Sequence, residues 1–311
     1  MKAQPNYAFS PSLLDAYQRM VSTKPEEFFY QDEAGAWHLN WNETEEMLHY
    51  SEEEVDALLR QEFIDYVNRV PSEPSEAASR GTAFNDIIDC LVLKRKPSGR
   101  TVIKTIRSGE DLYEAKTEKA RMEENSFSIS PHDCDAIYAK VGTPFIYSAL
   151  DGFEFFFDKD FCREAGEYFG GSICQYYTKA NLETTKGIVE LHGYIDYLRM
   201  MHVYDAKTTK RYSFGDYQTR WQRYAYPFTL IESGMMNEIQ SFEFTVYVLK
   251  GGSGRTPLIS GTQFREVYTY DHEQARTMLT QQCERLIEFL EANRHLITNE
   301  KIFGNGTTDN R

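Results

Sequence analysis

Asp196, Asp205 and Lys207 are the residues of this 311-residue chain whose types and spacing point most directly to chemistry. All three fall in GIVELHGYIDYLRMMHVYDAKTT, residues 187–209. Asp196 sits between the apolar residues Ile195 and Leu198, as in a strand. Asp205 and Lys207 stand two apart on the next strand, so alternation puts both on one face. A turn over residues 198–202 folds that strand back and brings the two acids together beside the lysine. Carboxylates so placed repel each other unless something neutralises them, and an oxygen-preferring divalent cation does so. The lysine can stabilise charge developing on a phosphate or orient an attacking water. Phosphodiester hydrolysis is the chemistry this set suits. D-x-K alone also describes an acid and a base pairing across an exposed strand.

The elements that must position these residues are legible in outline. Residues 10–21 read as a first helix, with Ser10 or Ser12 as N-cap and Leu13, Leu14 and Tyr17 on one face. Residues 28–41 read as a hairpin turning at Glu33-Ala34-Gly35. An acidic helical stretch over 43–70 and a loop over 71–79 follow. Residues 81–93 predict a buried helix, with Phe84, Ile87, Ile88 and Leu91 at helical spacing. Residues 108–170 read as an insertion holding a helix over about 131–149. From Ser172 three strands form an antiparallel meander, then a helix over 216–233 containing Pro227, strands over 242–250 and 264–270, and a helix over 271–295 capped by Asp271. The final residues, 304–311, are expected to be disordered. The order is that of an α/β arrangement on a mixed sheet.

Net charge is −14, which weighs against a partner that is itself a polyanion. Residues 94–107 reverse that sign locally, with Lys94, Arg95, Lys96, Arg100, Lys104 and Arg107 and no acid. They read either as a solvated loop or as phosphate contacts. The five cysteines are scattered without a CxxC pair, which excludes a disulfide framework or zinc site by spacing. No apolar run approaches the roughly 20 residues needed to cross a bilayer. The first residues lack a secretory signal, so the expectation is a soluble, cytoplasmic protein without a membrane partner. His192 shares a face with Asp196 by even offset and reads as structural or as a neighbour of the site. No nucleophile elbow, Walker loop, HExxH or dinucleotide fingerprint is present.

Gly193-Tyr194-Ile195-Asp196, then Asp205-Ala206-Lys207, then Gln222-Arg223-Tyr224-Ala225-Tyr226 stand in the order and spacing of a known pattern. The chain resembles the PD-(D/E)XK nuclease superfamily, in its RecB-like and lambda-exonuclease-like branch. The opening SPSLLDAYQRM resembles the segment that begins such domains, and the likeness runs over roughly residues 10–250. It implies an α/β restriction-endonuclease-like core, a mixed central β-sheet flanked by helices, with helical insertions. Residues 1–80 would be a helical and hairpin segment packed on the core. Residues 81–295 would be the core, with the insertion at about 108–170, and 296–311 a tail. It implies Mg²⁺ or Mn²⁺ held by Asp196, Asp205 and the Ala206 carbonyl, and Lys207 as the catalytic lysine. Gln222 and Tyr226 would support the site or contact DNA. Lys94, Arg95, Lys96, Arg100, Lys210, Arg211 and Arg223 are the candidate nucleic-acid contacts. The implied activity is a DNA exonuclease of recombination, repair or phage type, with DNA, a second copy or a recombination protein as partner. The alternative is an inactive nuclease-fold protein acting as a binding or assembly module. The sequence departs from the pattern twice. In Gly81-Thr82-Ala83-Phe84-Asn85 the asparagine stands where the family often has a metal-binding histidine, with Asp89 one turn on as a substitute. Thr23-Lys24-Pro25 stands where some relatives carry the first cysteine of an iron–sulfur cluster, so no such cluster is expected.

Overall fold

A computed structural model describes residues 4–23, 29–31, 37–39, 49–50, 52–95, 101–122 and 130–304. Strand β1 (Tyr7–Phe9) leads into α1 (Pro11–Ser22), whose first turn is closed by the Ser10 hydroxyl accepting from the Leu13 amide at 3.2 Å. β2 (Phe29–Gln31), β3 (Trp37–Leu39) and β4 (His49–Tyr50) form a small antiparallel sheet. Its first pair is the expected hairpin, with the expected turn, residues 33–35, outside the described residues. α2 (Glu52–Asn68) and α3 (Glu76–Leu93) follow.

Next come β5 (Val102–Ile106), α4 (Gly109–Met122), α5 (Pro131–Val141), β6 (Phe145–Leu150), β7 (Phe153–Asp158) and α6 (Lys159–Tyr168). The last part runs β8 (Ile173–Thr184), β9 (Gly187–Arg199), β10 (His202–Thr209), α7 (Gln222–Glu232), β11 (Ser241–Lys250), β12 (Leu258–Thr269) and α8 (His272–Ala292). Nine strands make one sheet in the order β1-β9-β10-β11-β12-β7-β6-β5, with β8 also on β9. β1–β9, β10–β11 and β12–β7 are parallel and the other pairs antiparallel. The protein is therefore an α/β fold on a mixed central sheet flanked by helices.

Strand alternation sorts the core. On one face Leu198, Val203, Phe242, Phe244 and Val246 pack with Tyr226 of α7, while Val189 and Leu191 meet Leu13 and Tyr17 of α1 and Leu279 and Leu286 of α8. On the other face Tyr197, Tyr204, Ala206 and Tyr247 meet Phe84, Ile87 and Ile88 of α3 and Ala165 and Phe169 beside α6.

Several local expectations are corrected. The helix placed over 131–149 stops at Val141, where Gly142 takes φ 77° as a left-handed cap. The six residues after Pro144 are all buried as β6, because the interior of a sheet takes an apolar run that a helix could equally have used. The helix placed over 216–233 begins only at Gln222, which frees Tyr217 to pack its ring, tilted by 31°, against Phe244 at 5.3 Å. α3 starts earlier than expected, at Glu76, because Ser75 caps it. Residues 296–303, assigned to the tail, fold back on the core: Ile302 and Phe303 are buried, and Phe303 lies edge-on to Tyr7, while the disorder expected over 304–311 falls beyond the described residues except for Gly304. The segment read as an insertion supplies β5, β6 and β7, which extend the main sheet through the β12–β7 pair.

Candidate active site at the strand fork

β10 pairs with β9 only through His202–Arg199, Val203–Leu198 and Tyr204–Tyr197, beyond which it parts from β9 while staying paired with β11 along its whole length. Farther along β9, β1 pairs at Val189, Glu190 and Leu191. β8 takes the whole opposite edge. Between Leu191 and Tyr197, one edge of β9 is thus open, and the parting strands form a fork. Asp196 is the first residue past the last β9–β10 pair, and continuing that register by one step sets it opposite Asp205.

Asp196 closes the fork chemically, its Oδ2 accepting from the Ala206 amide at 2.9 Å. A strand residue's N–H and C=O leave the same edge, so the Ala206 carbonyl is directed into the fork as well. β9 is irregular here: Ile195 packs in the same cluster as Leu198, an odd offset, and Tyr197 on the opposite face. Across from it, Gln175 has φ 50° and is left unpaired, although the β8–β9 register continues unshifted on either side, so both strands break their regular form at Asp196. That break in alternation undoes the even-offset argument for His192. Its electrostatic neighbours are Glu190, Lys179 and Arg69, not the acids of the fork.

Both sheet faces reach the gap. From one side Gly193 lets Tyr226 approach, since a Cβ there would lie 2.9 Å from the Tyr226 ring and 3.4 Å from Pro11. That contact explains the glycine three residues before Asp196. Asp15 of α1 comes from the same side and accepts from the Trp221 amide at 2.7 Å, holding the start of α7. From the other side α3 presents Gly81, Asn85 and Asp89, four residues apart on one face. A Cβ on Gly81 would lie 2.4 Å from Thr208 Oγ1 of β10, and Asp89 accepts from the Tyr197 hydroxyl of β9 at 2.7 Å. Tied at both ends, that helix face carries Asn85 across the fork.

The electrostatics are those of a site with too many acids. Lys207 meets Asp205 at 2.6 Å, their side chains 25% and 4% exposed. That ion pair is the contact made by the buried Asp205 Oδ2. Burial works against charge on Lys207, but Asp205, Asp196 and Asp15 outweigh it and hold the ammonium above its ordinary pKa. Burial, then the Asp205 charge, pushes Asp196 well up. Asp15 is raised by burial to about 6, despite the Trp221 amide. Burial also raises Asp89, and raises Tyr226 with Asp205, Asp196 and Asp15 adding to it. Asn85 Oδ1 and Gln222 Oε1 are buried without a partner. Among the described residues no three His, Cys, Asp or Glu side chains cluster as a ready metal site.

The structure brings Asp196, Asp205, Ala206, Lys207 and Tyr226 together, with Asn85 and a buried Gln222 on the flanking helices. Asp15 was missed from the sequence although it lies in the quoted opening segment; its four-residue spacing from Pro11 was the available signal. Arg95 and Arg220 act electrostatically on Asp89 and Asp15 respectively, and so stand at the rim. Lys94 is the exposed left-handed cap of α3, and Lys210 and Arg211 are exposed on the loop after β10. Arg223 is committed elsewhere: its guanidinium lies 4.4 Å from the Tyr224 and Tyr268 rings and donates to the Tyr224 hydroxyl. Lys96 and Arg100 lie outside the described residues. No helix among the described residues is long and apolar enough to cross a membrane.

No protein-family model matches the chain, and no curated protein matches it. A solved structure titled "Crystal structure of SSO0001" aligns over 76% of this chain and 86% of that chain at 9% identity. Its TM-score of 0.25 is too low to carry an argument about fold or function.

Proposed function

We propose that this chain is a metal-dependent deoxyribonuclease of the PD-(D/E)XK kind on a restriction-endonuclease-like core, acting as an exonuclease in recombination, repair or phage replication. The observation that carries this is the fork, where two carboxylates and a lysine converge with buried oxygens left unpartnered. The donor set is Asp196, Asp205, the Ala206 carbonyl and Asn85 Oδ1. All are oxygens, which suits Mg²⁺ or Mn²⁺. The unpartnered Asn85 Oδ1 fits that role, since a buried acceptor without a donor is costly, while Asp205 Oδ2 is met by Lys207 alone. When bound, such an ion would polarise the scissile phosphate and acidify a water.

The chain's own residues do the rest. Lys207, kept protonated by the surrounding acids, presents a cation to a phosphate oxygen or to the attacking water. Asp196 ties Ala206 in place, so the two acid-bearing strands keep a fixed separation. Tyr226 and α3 wall the fork from either side and limit water.

Incubation with end-labelled linear and closed circular DNA plus Mn²⁺ tests the reading and separates exonuclease from endonuclease. Asp205→Asn and Lys207→Met should each remove metal-dependent cleavage with the fold intact. Undiminished cleavage by both would sink the assignment. A second reading, an inactive binding or assembly module, draws on neutral Asn85 and on the net charge of −14. Titration calorimetry showing no Mn²⁺ binding near neutral pH would favour it.

A further inference from the structure

Beside the fork lies a surface that the nuclease reading leaves unused. The loop between β10 and α7 carries Lys210, Arg211 and Arg220 against the single acid Asp216 over residues 210–221, in a chain of net charge −14. Aromatic rings run through the same loop and onto β12. Tyr212 lies 5.1 Å from Phe264 and stacks on Tyr217 at 6.3 Å and 26°. Tyr217 in turn lies 5.3 Å from Phe244, and Lys207 stands 5.8 Å over that Phe244 ring. The outer rings are open to solvent: Phe264 is 41% and Phe214 87% exposed. Buried Glu266 fastens the loop to β12, accepting from the Gly215 amide at 2.9 Å and from the Tyr268 hydroxyl. Phe264 and Phe214 are thus exposed rings among cations, and from Phe264 the ring contacts lead inward through half-buried Tyr212 and Tyr217 to buried Phe244 beneath the proposed catalytic lysine, a surface of the kind that marks an interaction site.

We propose that Phe214, Tyr212 and Phe264 form a stacking platform for unpaired nucleotides of a DNA strand whose backbone is led by Lys210, Arg211 and Arg220 to Lys207. Bases in a duplex are already stacked on each other and cannot reach such rings, whereas unpaired bases can. The surrounding cations match phosphates and would repel a basic partner. This deepens the nuclease reading by naming a single strand, or the frayed end of a duplex, as what enters the fork.

Binding is measured by fluorescence anisotropy in EDTA, so that cleavage plays no part. The probes are a labelled oligothymidylate and a blunt duplex of equal length, each titrated with wild type, Phe214→Ala, Phe264→Ala and the double variant. Each lost ring should weaken oligothymidylate binding roughly five- to a hundredfold, with the duplex little changed. Lys210→Glu with Arg211→Glu should weaken binding and flatten its salt dependence. Circular dichroism and melting establish that each variant folds. Equal losses for strand and duplex, or none for either, would overturn the platform. So would a phenylalanine variant that only converts a dimer to a monomer in size-exclusion chromatography, which would mark a self-association patch. A wild type that binds the strand but cuts nothing with Mn²⁺ would leave the platform standing and remove the nuclease reading. A wild type that cuts while its platform variants bind normally would do the reverse.

Discussion

Asp15→Asn should make the metal-free protein more stable at neutral pH, although it removes a charged side chain that accepts a buried hydrogen bond. Burial raises the Asp15 carboxyl from 3.8 to about 6. A group whose folded pKa lies above its unfolded value takes up protons on folding. Its contribution to stability is therefore most favourable below about pH 4 and declines as pH rises through about 6, levelling off above. Roughly two pH units correspond to about 3 kcal/mol, and relaxation of neighbouring Asp205 and Lys207 brings the expectation to about 2–3 kcal/mol. Asparagine keeps an Oδ1 to accept from the Trp221 amide, so the start of α7 keeps its partner. Urea denaturation in EDTA, at intervals from pH 4 to pH 8, measures the difference between variant and wild type. That difference should be near zero at pH 4 and reach its full value by pH 7. A difference that stays flat across the range would refute the reasoning, as would an Asn variant less stable than wild type at pH 7. Asp15→Ala is the control: it relieves the same charge but orphans the amide, and should gain less by about 1–3 kcal/mol.

Tyr197→Phe keeps the ring stacked on Phe169, at 3.8 Å, but leaves buried Asp89 without its hydroxyl donor. It should cost about 1–3 kcal/mol in denaturant melts. Gly193→Ala drives a methyl into the Tyr226 ring and should cost about 1–3 kcal/mol, with loss of nuclease activity exceeding what the remaining folded fraction accounts for. Activity that simply follows the folded fraction would show that Tyr226 has no positioning role.

The site was more legible than the fold around it. Asp205 and Lys207 could be placed on one face because alternation is a local property, and the β9–β10 hairpin followed from a short turn. The fork could not be read that way, because β10 keeps only three pairs with β9 while pairing in parallel with β11 throughout, a contact made across α7 and invisible to local periodicity. The break in β9 alternation at Asp196, opposite Gln175 at φ 50°, kept the placement of His192 from being read for the same reason. β6 was mistaken for helix because an apolar run of that length serves either structure. Asp15 was overlooked because a polar residue on the first helix looks like surface until α1 packs against the sheet and buries it.

Asn85 draws its weight from what it changes and what it leaves alone. Histidine and asparagine ligands are both neutral, so the field that attracts a cation is set by Asp196 and Asp205, with Asp15 and Asp89 behind them, and is unaffected by the exchange. What differs is donor character: an amide oxygen is hard, and an imidazole nitrogen favours borderline metals. If the ion sits where Asn85 Oδ1 now lacks a partner, Asn85→His should strengthen Zn²⁺ and Ni²⁺ binding far more than Mg²⁺ binding. Competition calorimetry with the three ions reads that ratio directly. A change of equal size for all three would mean that Asn85 does not touch the metal, and that α3 serves the fork through Asp89 alone.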